Sequence, residues 1–275
     1  MTIPEDNRPE PFPRVLNMTP EYFDRYPNLA MKRDARGILE LRLHTAGGPF
    51  KFSASARTQL IEACHDVGRD RDNRLVILTG TGDVWCAEFD RDPATGADPA
   101  LSLAQRWDKQ FWEGRKLLQN LLDIDVPVIA AINGPALIHS EYILTCDIVL
   151  ASDDAAFQDL PHLNNNVAPT DGVHVLWPHV LGPGRGRYFL LTQQKLSAAE
   201  ALSLGVCQEV LPRARLLERA YEIAARLAVQ PTATLRYARV GLTQRLKRLV
   251  VDDLGLGLAV ESLSALAKAM DQPTP

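Results

Sequence analysis

Apolar residues recur along this chain at two spacings, one typical of strands and one typical of helices. From residue 38 to residue 44 apolar and polar residues alternate (ILELRLH), which predicts a half-buried strand. Residues 29–32 are its expected hairpin partner across a turn at 34–37. Continuous apolar runs predict strands buried on both faces of a mostly parallel sheet, at 75–80, 126–134 and 146–152, followed by a shorter strand at 205–211.

Segments with apolar residues at helical spacing alternate with these strands. Leu60, Ile61, Cys64 and Val67, for example, share one face of a predicted amphipathic helix. The predicted helices cover residues 54–69, about 101–122, a short segment at 135–145, a segment opened by the capping box Ser197-x-x-Glu200, and then 215–229, 231–248 and 250–269. Strands and helices that alternate up to about residue 212 predict an α/β fold with crossover connections, followed by a helical region.

Three other stretches do not fit a regular element. Residues 1–27 contain six prolines, which predicts an extended N-terminal arm. The loop at 80–100 is longer than an ordinary connector, so we expect it to be functional. The run GPGRGR at 182–187 looks like a phosphate loop, but it follows a helix and lacks the Gly-Lys-Ser/Thr ending. It therefore predicts a turn into the next helix.

Composition narrows the class of protein and its partners. The chain has 275 residues, is 46% hydrophobic and 23% charged, and carries a net charge of -4. This balance, with no dense Lys/Arg block, argues against nucleic acid or a membrane surface as partner. The four cysteines lie far apart, so neither a zinc site nor a disulfide framework is expected. With no signal peptide and no 18-residue apolar segment, we expect a soluble cytoplasmic protein.

His162 and Asp171 lie nine positions apart in a segment that favours neither helix nor strand. Three asparagines and Pro169 separate them, so the chain can fold back and bring imidazole and carboxylate together. A carboxylate fixes the tautomer of the ring and strengthens its outward nitrogen as a base for water activation. Two alternatives stay open: Asp171 can cap a helix that begins at Gly172 while His162 is structural, or His174 can be the partner of Asp171.

Glu261 lies in the middle of the last predicted helix, which is apolar on nearly every side. We expect this helix to be buried, including at contacts between subunits. A lone carboxylate on the face of Leu254 and Leu258 must find a partner, line a cavity or keep its proton. An ion pair with an arginine is the structural alternative to a functional role. The basic residues of the preceding helix are expected to form a solvated face: Arg236, Arg239, Arg245, Lys247 and Arg248.

Several segments, in this order and spacing, resemble the crotonase (enoyl-CoA hydratase/isomerase) superfamily. They are LVILTGTGDVWCAEFD, VPVIAAINGPAL, CDIVLAS with AFQDLPH, LGPGRGRYFLLT and LSAAEALSLGVCQEVL. The resemblance implies an α/β fold of repeated ββα units, C-terminal helices that trimerise, and an oxyanion hole of two backbone N–H groups. It divides the chain into an arm at 1–27, a crotonase-like core at 28–212 and a helical region at 213–275.

The chain departs from the CoA-using members of this superfamily at the residues of the site. Ala87 matches the alanine whose N–H points into the hole, but Glu88 replaces the glycine that follows. His139 stands about where the second hole glycine is expected. His162 follows Pro161, where hydratases carry a catalytic glutamate. In this interpretation, the His139 side chain therefore replaces part of the backbone N–H oxyanion hole.

FQDLPH, APTDGVHVLWPHVLG and RGRYFLLT further resemble the β-diketone hydrolase branch, of the 6-oxocamphor hydrolase type. Carried over, that resemblance implies a water-activating dyad of His162 and Asp171, an enolate-stabilising His139 and a helical Glu261. Phe52 occupies the position of an active-site tryptophan. The substrate-binding residues implied or expected are Phe52, Trp85, Ala87 and Leu163.

The chemistry implied is hydrolytic retro-Claisen cleavage of a carbon–carbon bond in a cyclic or bicyclic β-diketone, which yields a keto acid. The second carbonyl accepts the electrons, so no metal and no cofactor is expected. The resemblance also implies a homotrimer or a dimer of trimers. Two alternatives stay open: a lyase or isomerase that acts on CoA thioesters, and a noncatalytic trimeric scaffold.

Overall fold

The computed structural model describes residues 16–96 and 98–270 of the chain. Strands and helices alternate along most of it. In chain order they are β1 (Leu29–Arg33), β2 (Ile38–Leu43), β3 (Lys51–Phe52), α1 (Ala54–Arg69), β4 (Leu75–Gly80), β5 (Glu88–Phe89), α2 (Leu103–Asp123), β6 (Val128–Ile132), β7 (Ile148–Ser152), β8 (Ala156–Phe157), α3 (Val173–Leu181), α4 (Pro183–Thr192), β9 (Leu196–Ser197), α5 (Ala198–Ser203), β10 (Glu209–Leu211), α6 (Arg213–Leu227) and α7 (Thr232–Met270). Short 3-10 helices lie at Glu21–Asp24, Pro93–Thr95, Ser140–Thr145 and Leu163–Asn165.

A six-stranded sheet forms the centre of the molecule, in the order β1-β2-β4-β6-β7-β10. β1 and β2 pair antiparallel, and the other neighbouring strands pair parallel. The predicted hairpin and the predicted parallel strands are confirmed. β6 begins after Pro127, which has no N–H to donate to a neighbouring strand. β10 is shorter than its apolar run because Gly205 adopts φ 76° in the turn that precedes it.

Apolar side chains cover both faces of this sheet. Ile38, Leu75 and Ile77 point to one face, where they pack with residues of α6. Leu39 and Val76 point to the other face and join the larger core formed with α1 and α2. Every residue of β4 is buried. A strand covered on both faces needs apolar residues at consecutive positions, which is why these runs do not alternate.

The arm predicted for residues 1–27 is only partly within the described structure, because residues 1–15 lie outside the described residues. From residue 16 onward the segment packs on the core. Tyr22 and Phe23 are buried in the 3-10 helix, and the Tyr26 hydroxyl donates to Asp66 Oδ2 at 2.6 Å. Residues 21–26 therefore form a turn packed on the core and not an extended arm. The proposed division of the chain into three regions stays a prediction.

The C-terminal region contains one long helix, α7, where the sequence predicts two helices at 231–248 and 250–269. No proline interrupts the segment, and the glycines within it are accommodated. Gly257 is needed because a Cβ there would lie 2.2 Å from His174 Cε1 and 2.3 Å from the Thr170 carbonyl oxygen. Its small size allows α7 to approach the segment that leads into α3 closely.

The basic face predicted near residues 236–248 is partly wrong. Arg236 and Arg239 are buried, whereas Arg245 and Arg248 are exposed. Arg239 Nε lies 2.6 Å from Asp147 Oδ2, and its guanidinium also donates to backbone carbonyl groups. These arginines attach α7 to the loops around the sheet. Buried ions of this kind need a partner, and the partners come from distant positions in the sequence.

The apolar surface of α7 is also only partly buried within one chain. Leu254 and Leu258 are in the core, but Leu256 and Leu263 are 73% and 65% exposed. The prediction that the helix is buried on nearly every side is therefore not met by the single chain, and assembly into a trimer stays a prediction. Within the described ranges, no helix is both long enough and apolar enough to cross a lipid bilayer.

Candidate active site

The predicted residues His139, His162, Asp171 and Glu261 meet in one buried cluster. Asp171 lies between the two histidines: its Oδ1 is 3.4 Å from His162 Nε2, and its Oδ2 is 3.6 Å from His139 Nδ1. Donor atoms of His162, Asp171 and Glu261 all lie within 4.8 Å of one another. His139 follows β6, His162 follows β8, Asp171 precedes α3 and Glu261 projects from α7. Four separate segments therefore build the site.

His162 has a second carboxylate partner that the sequence interpretation missed. Its Nδ1 lies 2.6 Å from Asp159 Oδ1, a shorter contact than the one between Nε2 and Asp171. Both side chains are almost fully buried. Asp159 rather than Asp171 therefore orients the ring, and Nε2 is the nitrogen that faces the rest of the cluster. The signal was available in the sequence as a carboxylate three positions before the histidine.

The two carboxylates keep His162 protonated in the resting site. Burial lowers the pKa of His162, but the charge of Asp171 and the hydrogen bonds and charge of Asp159 raise it by more, to about 12. Burial raises the pKa of Asp171, but the charge of His162 lowers it by more, so the net change is downward. His162 and Asp171 thus form an ion pair. The sequence interpretation expected a neutral imidazole base near pH 7, and this arrangement differs because it places carboxylates at both nitrogens.

His139 occupies the backbone position where the superfamily resemblance expects a glycine. Its φ of 50° and ψ of 40° lie in the left-handed region, which favours glycine. The ring is held by three neighbours: Glu141 Oε1 lies 2.9 Å from Nδ1, Tyr142 stacks at a centroid distance of 4.9 Å, and Phe52 lies at 4.0 Å. His139 thus combines a backbone conformation that suits glycine with an imidazole side chain directed into the site.

Glu141 is a second buried carboxyl group that the sequence interpretation did not select. Burial raises the pKa of Glu141. The nearby charge of His139 lowers it by a smaller amount, so the net change is upward. Glu141 Oε1 contacts Nδ1 of His139, so Nε2 is the ring nitrogen that is left for a ligand. Among the described residues, no group is hydrogen-bonded to that Nε2.

Glu261 projects from α7 into the same cluster. Its Oε1 accepts a hydrogen bond of 3.0 Å from Gln110 Nε2, and Oε2 has no hydrogen-bond partner in the described part of the chain. Burial and the charge of Asp171 raise the pKa of Glu261 to about 8. Of the alternatives considered from the sequence, retention of the proton fits this environment. The ion pair with an arginine is not present within residues 16–96 and 98–270.

The two structural alternatives for Asp171 do not fit its contacts. Gly172 is the N-cap of α3, and no side chain caps that helix. His174 faces away from the pair, because its Nε2 lies 3.4 Å from the backbone oxygen of Asp253 and its Nδ1 has no hydrogen-bond partner in the described chain. Asp171 is therefore neither a helix cap nor the hydrogen-bond partner of His174.

The predicted substrate-binding residues divide among different surroundings. Phe52 packs on His139 and borders an open cavity of about 520 Å³. Ala87 borders a second open cavity, of about 720 Å³, on the other side of the β3–β5 pair. Trp85 is buried in the core, and Leu163 is half-buried in the turn after His162. Only Phe52 and Ala87 of the four thus border these open cavities, and the binding roles of all four stay predictions.

Two sets of donor atoms in this cluster have the spacing of a metal site. One set is His139, Glu141 and Asp171, and the other is His162, Asp171 and Glu261. Nitrogen and carboxylate donors of this kind suit Zn²⁺. The same donors are also held by each other through the contacts given above. A reaction without metal remains a prediction, and a chelator control tests it.

Comparison with known proteins identifies relatives over most of the chain. The sequence model described as enoyl-CoA hydratase/isomerase matches residues 34–255. The enoyl-CoA hydratase/isomerase homologue YngF of Bacillus subtilis (strain 168) is 34% identical over 208 residues, which are 74% of this chain and 73% of YngF. The 4-chlorobenzoyl coenzyme A dehalogenase-2 of Arthrobacter sp is 31% identical over 71% of each chain.

A solved structure is more similar than these sequence relatives. It is that of ABDH, a β-diketone hydrolase from the cyanobacterium Anabaena sp. PCC 7120, bound to (S)-3-oxocyclohexyl acetic acid. ABDH is 56% identical, and the match covers 91% of this chain and 99% of the ABDH chain, with a TM-score of 0.86.

Proposed function

The chain belongs to the enoyl-CoA hydratase/isomerase family, and we propose that within it this protein is a cofactor-independent β-diketone hydrolase. The observation that carries this proposal is the pair of histidines on either side of Asp171, one of them at the left-handed position of a hole glycine. Hydration or isomerisation of a CoA thioester does not require a second histidine at that position. The identity of 56% to ABDH supports the same reaction class.

The substrate class follows from the ligand named for ABDH, a keto acid with a cyclohexanone ring and an acetic acid side chain. Retro-Claisen hydrolysis adds hydroxyl to one carbonyl carbon and hydrogen to the carbon between the two carbonyls. Reversing it joins the carboxyl carbon to the ring carbon opposite the side chain, next to the ketone. The result is a bicyclic octane-2,6-dione in which three two-carbon bridges connect the bridgeheads. We propose a bicyclic 1,3-diketone of this type as substrate.

The first step is attack by water that the His162–Asp171 pair activates. One donor atom from each of His162, Asp171 and Glu261 lies within 4.8 Å of the others, so an oxygen can lie about 2.8 Å from all three, a normal hydrogen-bond length. One water among His162, Asp171 and Glu261 can therefore contact all three side chains. Deprotonated His162 accepts a proton at Nε2 as the water oxygen bonds to the carbonyl carbon, and the carbonyl electrons move to oxygen.

The second step breaks the carbon–carbon bond of this tetrahedral adduct. The oxyanion re-forms its carbonyl, the bonding electrons leave with the neighbouring carbon, and the second carbonyl delocalises them as an enolate. His139 Nε2–H and the Ala87 N–H are the proposed donors to the enolate oxygen. The proton taken from water returns to the enolate carbon through the His162–Asp171 pair or through Glu261, and a keto acid results.

The first test is an assay of carbon–carbon bond cleavage. Purified protein is incubated with a panel of cyclic and bicyclic 1,3-diketones, with and without EDTA, and the loss of ultraviolet absorbance is followed. We expect cleavage of at least one bicyclic diketone to a keto acid, identified by mass spectrometry, at a rate that EDTA does not change. Loss of activity with EDTA would contradict the metal-free mechanism, and no cleavage across the panel would contradict the proposed function.

A CoA thioester lyase or isomerase is the second candidate. The sequence relatives named above favour it, since one of them is a dehalogenase named for a coenzyme A substrate. The open cavity next to Ala87, which Lys51 and Arg91 also line, is the place where a nucleotide would have to bind. Retention on immobilised CoA, followed by specific elution with free CoA, would support this candidate. We expect no such retention.

The pKa of His162 leads to a prediction about the pH dependence of the rate. A base whose pKa is raised is mostly protonated at neutral pH, so the fraction able to accept a proton grows about tenfold per pH unit. We expect kcat/KM for a bicyclic 1,3-diketone to rise by about that factor per unit between pH 6 and pH 8, a range in which at least about half of Glu261 stays protonated. The bridgehead carbon between the two carbonyls of such a substrate cannot form an enol. The pH profile therefore reports the ionisation of groups in the enzyme.

Asp159→Asn is the matched variant for this profile. It removes one of the two carboxylates that raise the pKa of His162, so the rise in kcat/KM should shift to lower pH. Initial rates across the pH range, with thermal unfolding as a fold control, measure both profiles. A wild-type kcat/KM that stays constant from pH 6 to pH 8 would rule out a base with a raised pKa.

A further inference from the structure

Arg57 is a half-buried cation without a carboxylate partner. It lies in the first turn of α1, and its guanidinium carbon is 5.3 Å from the centre of the Phe52 ring. Within the described chain its side chain forms no hydrogen bond and no ion pair. The buried arginines Arg33, Arg236 and Arg239, in contrast, all pair with aspartates. An unpaired guanidinium in a partly buried position is available to a ligand.

The cavity of about 520 Å³ contains Arg57 and borders the catalytic cluster at two points. Phe52 lines the cavity and packs on His139, and Gln110 lines it and donates to Glu261. The volume lies in the range of small-molecule sites. The ring of Phe89, which also lines the cavity, offers an apolar wall for a carbocycle.

The other cations of this cavity already have partners. Lys109 Nζ lies 2.5 Å from Glu113 Oε1, and the Arg106 guanidinium donates to the Leu101 carbonyl at 3.0 Å. Arg57 is thus the cation of the described cavity wall that has no hydrogen-bond or ion-pair partner within the described chain. A ligand with an anionic group that enters this cavity therefore meets Arg57 as its charge-complementary contact.

The proposed reaction creates such a group next to an acidic cluster. Asp159, Asp171, Glu141 and Glu261 surround the two catalytic histidines, and a carboxylate product formed there is repelled by those that are ionised. Arg57 is close enough to act electrostatically on this cluster. Burial raises the pKa of Glu261, and the charge of Arg57 is one of those that lower it.

We propose that Arg57 binds the carboxylate of the keto-acid product. It contacts the carboxylate oxygen that was the carbonyl oxygen of the substrate and that develops negative charge when water attacks. This inference rests on the proposed hydrolase function. The planar guanidinium can hold both carboxylate oxygens through two parallel N–H donors, and Phe52 supports it from one face. His139 then serves the ketone end of the same molecule, so the two ends of the product are bound by different groups.

The test compares binding of an acid with that of its neutral ester. 3-Oxocyclohexylacetic acid and its methyl ester are titrated by calorimetry into the wild type, Arg57→Gln, Arg57→Lys and Arg115→Gln. Arg115 is the matched control, because its guanidinium also stacks on a phenyl ring, Phe111 at 5.4 Å, but lies on an exposed part of α2. We expect Arg57→Gln to weaken acid binding about 10- to 100-fold and ester binding less than about twofold.

The control variant should bind both ligands like the wild type, and Arg57→Lys should restore part of the affinity for the acid. Equal weakening of acid and ester by Arg57→Gln would show a packing role on Phe52 and overturn the proposal. Unchanged acid binding would overturn it as well. If the wild type cleaves diketones but Arg57→Gln keeps its affinity for the acid, only the role of Arg57 fails. If the wild type neither cleaves diketones nor binds the acid, the proposed function fails, and the role of Arg57 fails with it.

Discussion

Replacing His162 by alanine should lower kcat/KM for cleavage of a bicyclic 1,3-diketone by about 10²- to 10⁴-fold, the usual contribution of a positioned base. Nε2 of His162 faces Asp171 and Glu261, whereas Nε2 of His174 lies 3.4 Å from the Asp253 backbone oxygen. The alanine variant leaves Asp171 without its ion-pair partner, so water enters the space but no imidazole accepts its proton. Steady-state rates on purified protein measure the loss.

His174→Ala is the matched control for this prediction. It removes an imidazole that lies close to Asp171 in sequence but bonds to the Asp253 backbone instead, so kcat/KM should change less than about threefold. Circular dichroism and thermal unfolding confirm that both variants are folded. Full activity in folded His162→Ala would refute the dyad, and a large loss in His174→Ala with His162→Ala active would restore the rival partner.

Replacing His139 by glycine should lower kcat by about 10²- to 10³-fold and destabilise the protein less than replacing it by alanine. The rate falls because one donor to a developing oxyanion contributes about 3 kcal/mol. The loss of stability is limited because φ of 50° costs a histidine about 1 kcal/mol or more and costs glycine almost nothing. This gain offsets part of the packing lost against Phe52 and Tyr142.

His139→Ala separates the two effects, since alanine removes the imidazole but keeps the backbone strain. We expect both variants to lose kcat equally and the glycine variant to have the higher melting temperature. Rates and thermal unfolding at one pH are sufficient. A glycine variant with wild-type kcat would show that backbone N–H donors, such as that of Ala87, stabilise the enolate. The proposed role of the His139 side chain would then be wrong.

Local sequence patterns were sufficient for most of the fold. The continuous apolar runs indicated β4, β6 and β7 because each is buried on both faces. The spacing of Leu60 and Cys64 indicated the helix over the residues that α1 occupies. The patterns failed in α7, where one helix replaces two, because residues 248–250 contain no proline or glycine that would end a helix. They failed again for Arg236 and Arg239, whose aspartate partners are about a hundred residues away.

The candidate site shows a similar division. The superfamily resemblance pointed to His139, His162, Asp171 and Glu261, and the structure brings the four side chains together. It did not point to Asp159, although that residue makes the shortest contact of His162. Their catalytic roles stay predictions that the variants above test.

The sequence by itself determined most of the elements and the α/β fold class, because burial on both faces and helical spacing are properties of neighbouring residues. The resemblance of its motifs pointed to the family. It also identified the segments that carry the chemistry. Only the tertiary structure decided the charge state and the orientation of the site. The pKa of His162 depends on which carboxylates face each nitrogen, and the free guanidinium of Arg57 depends on which aspartates do not reach it. Both are sums over contacts between distant segments, and such sums cannot be read from local spacing.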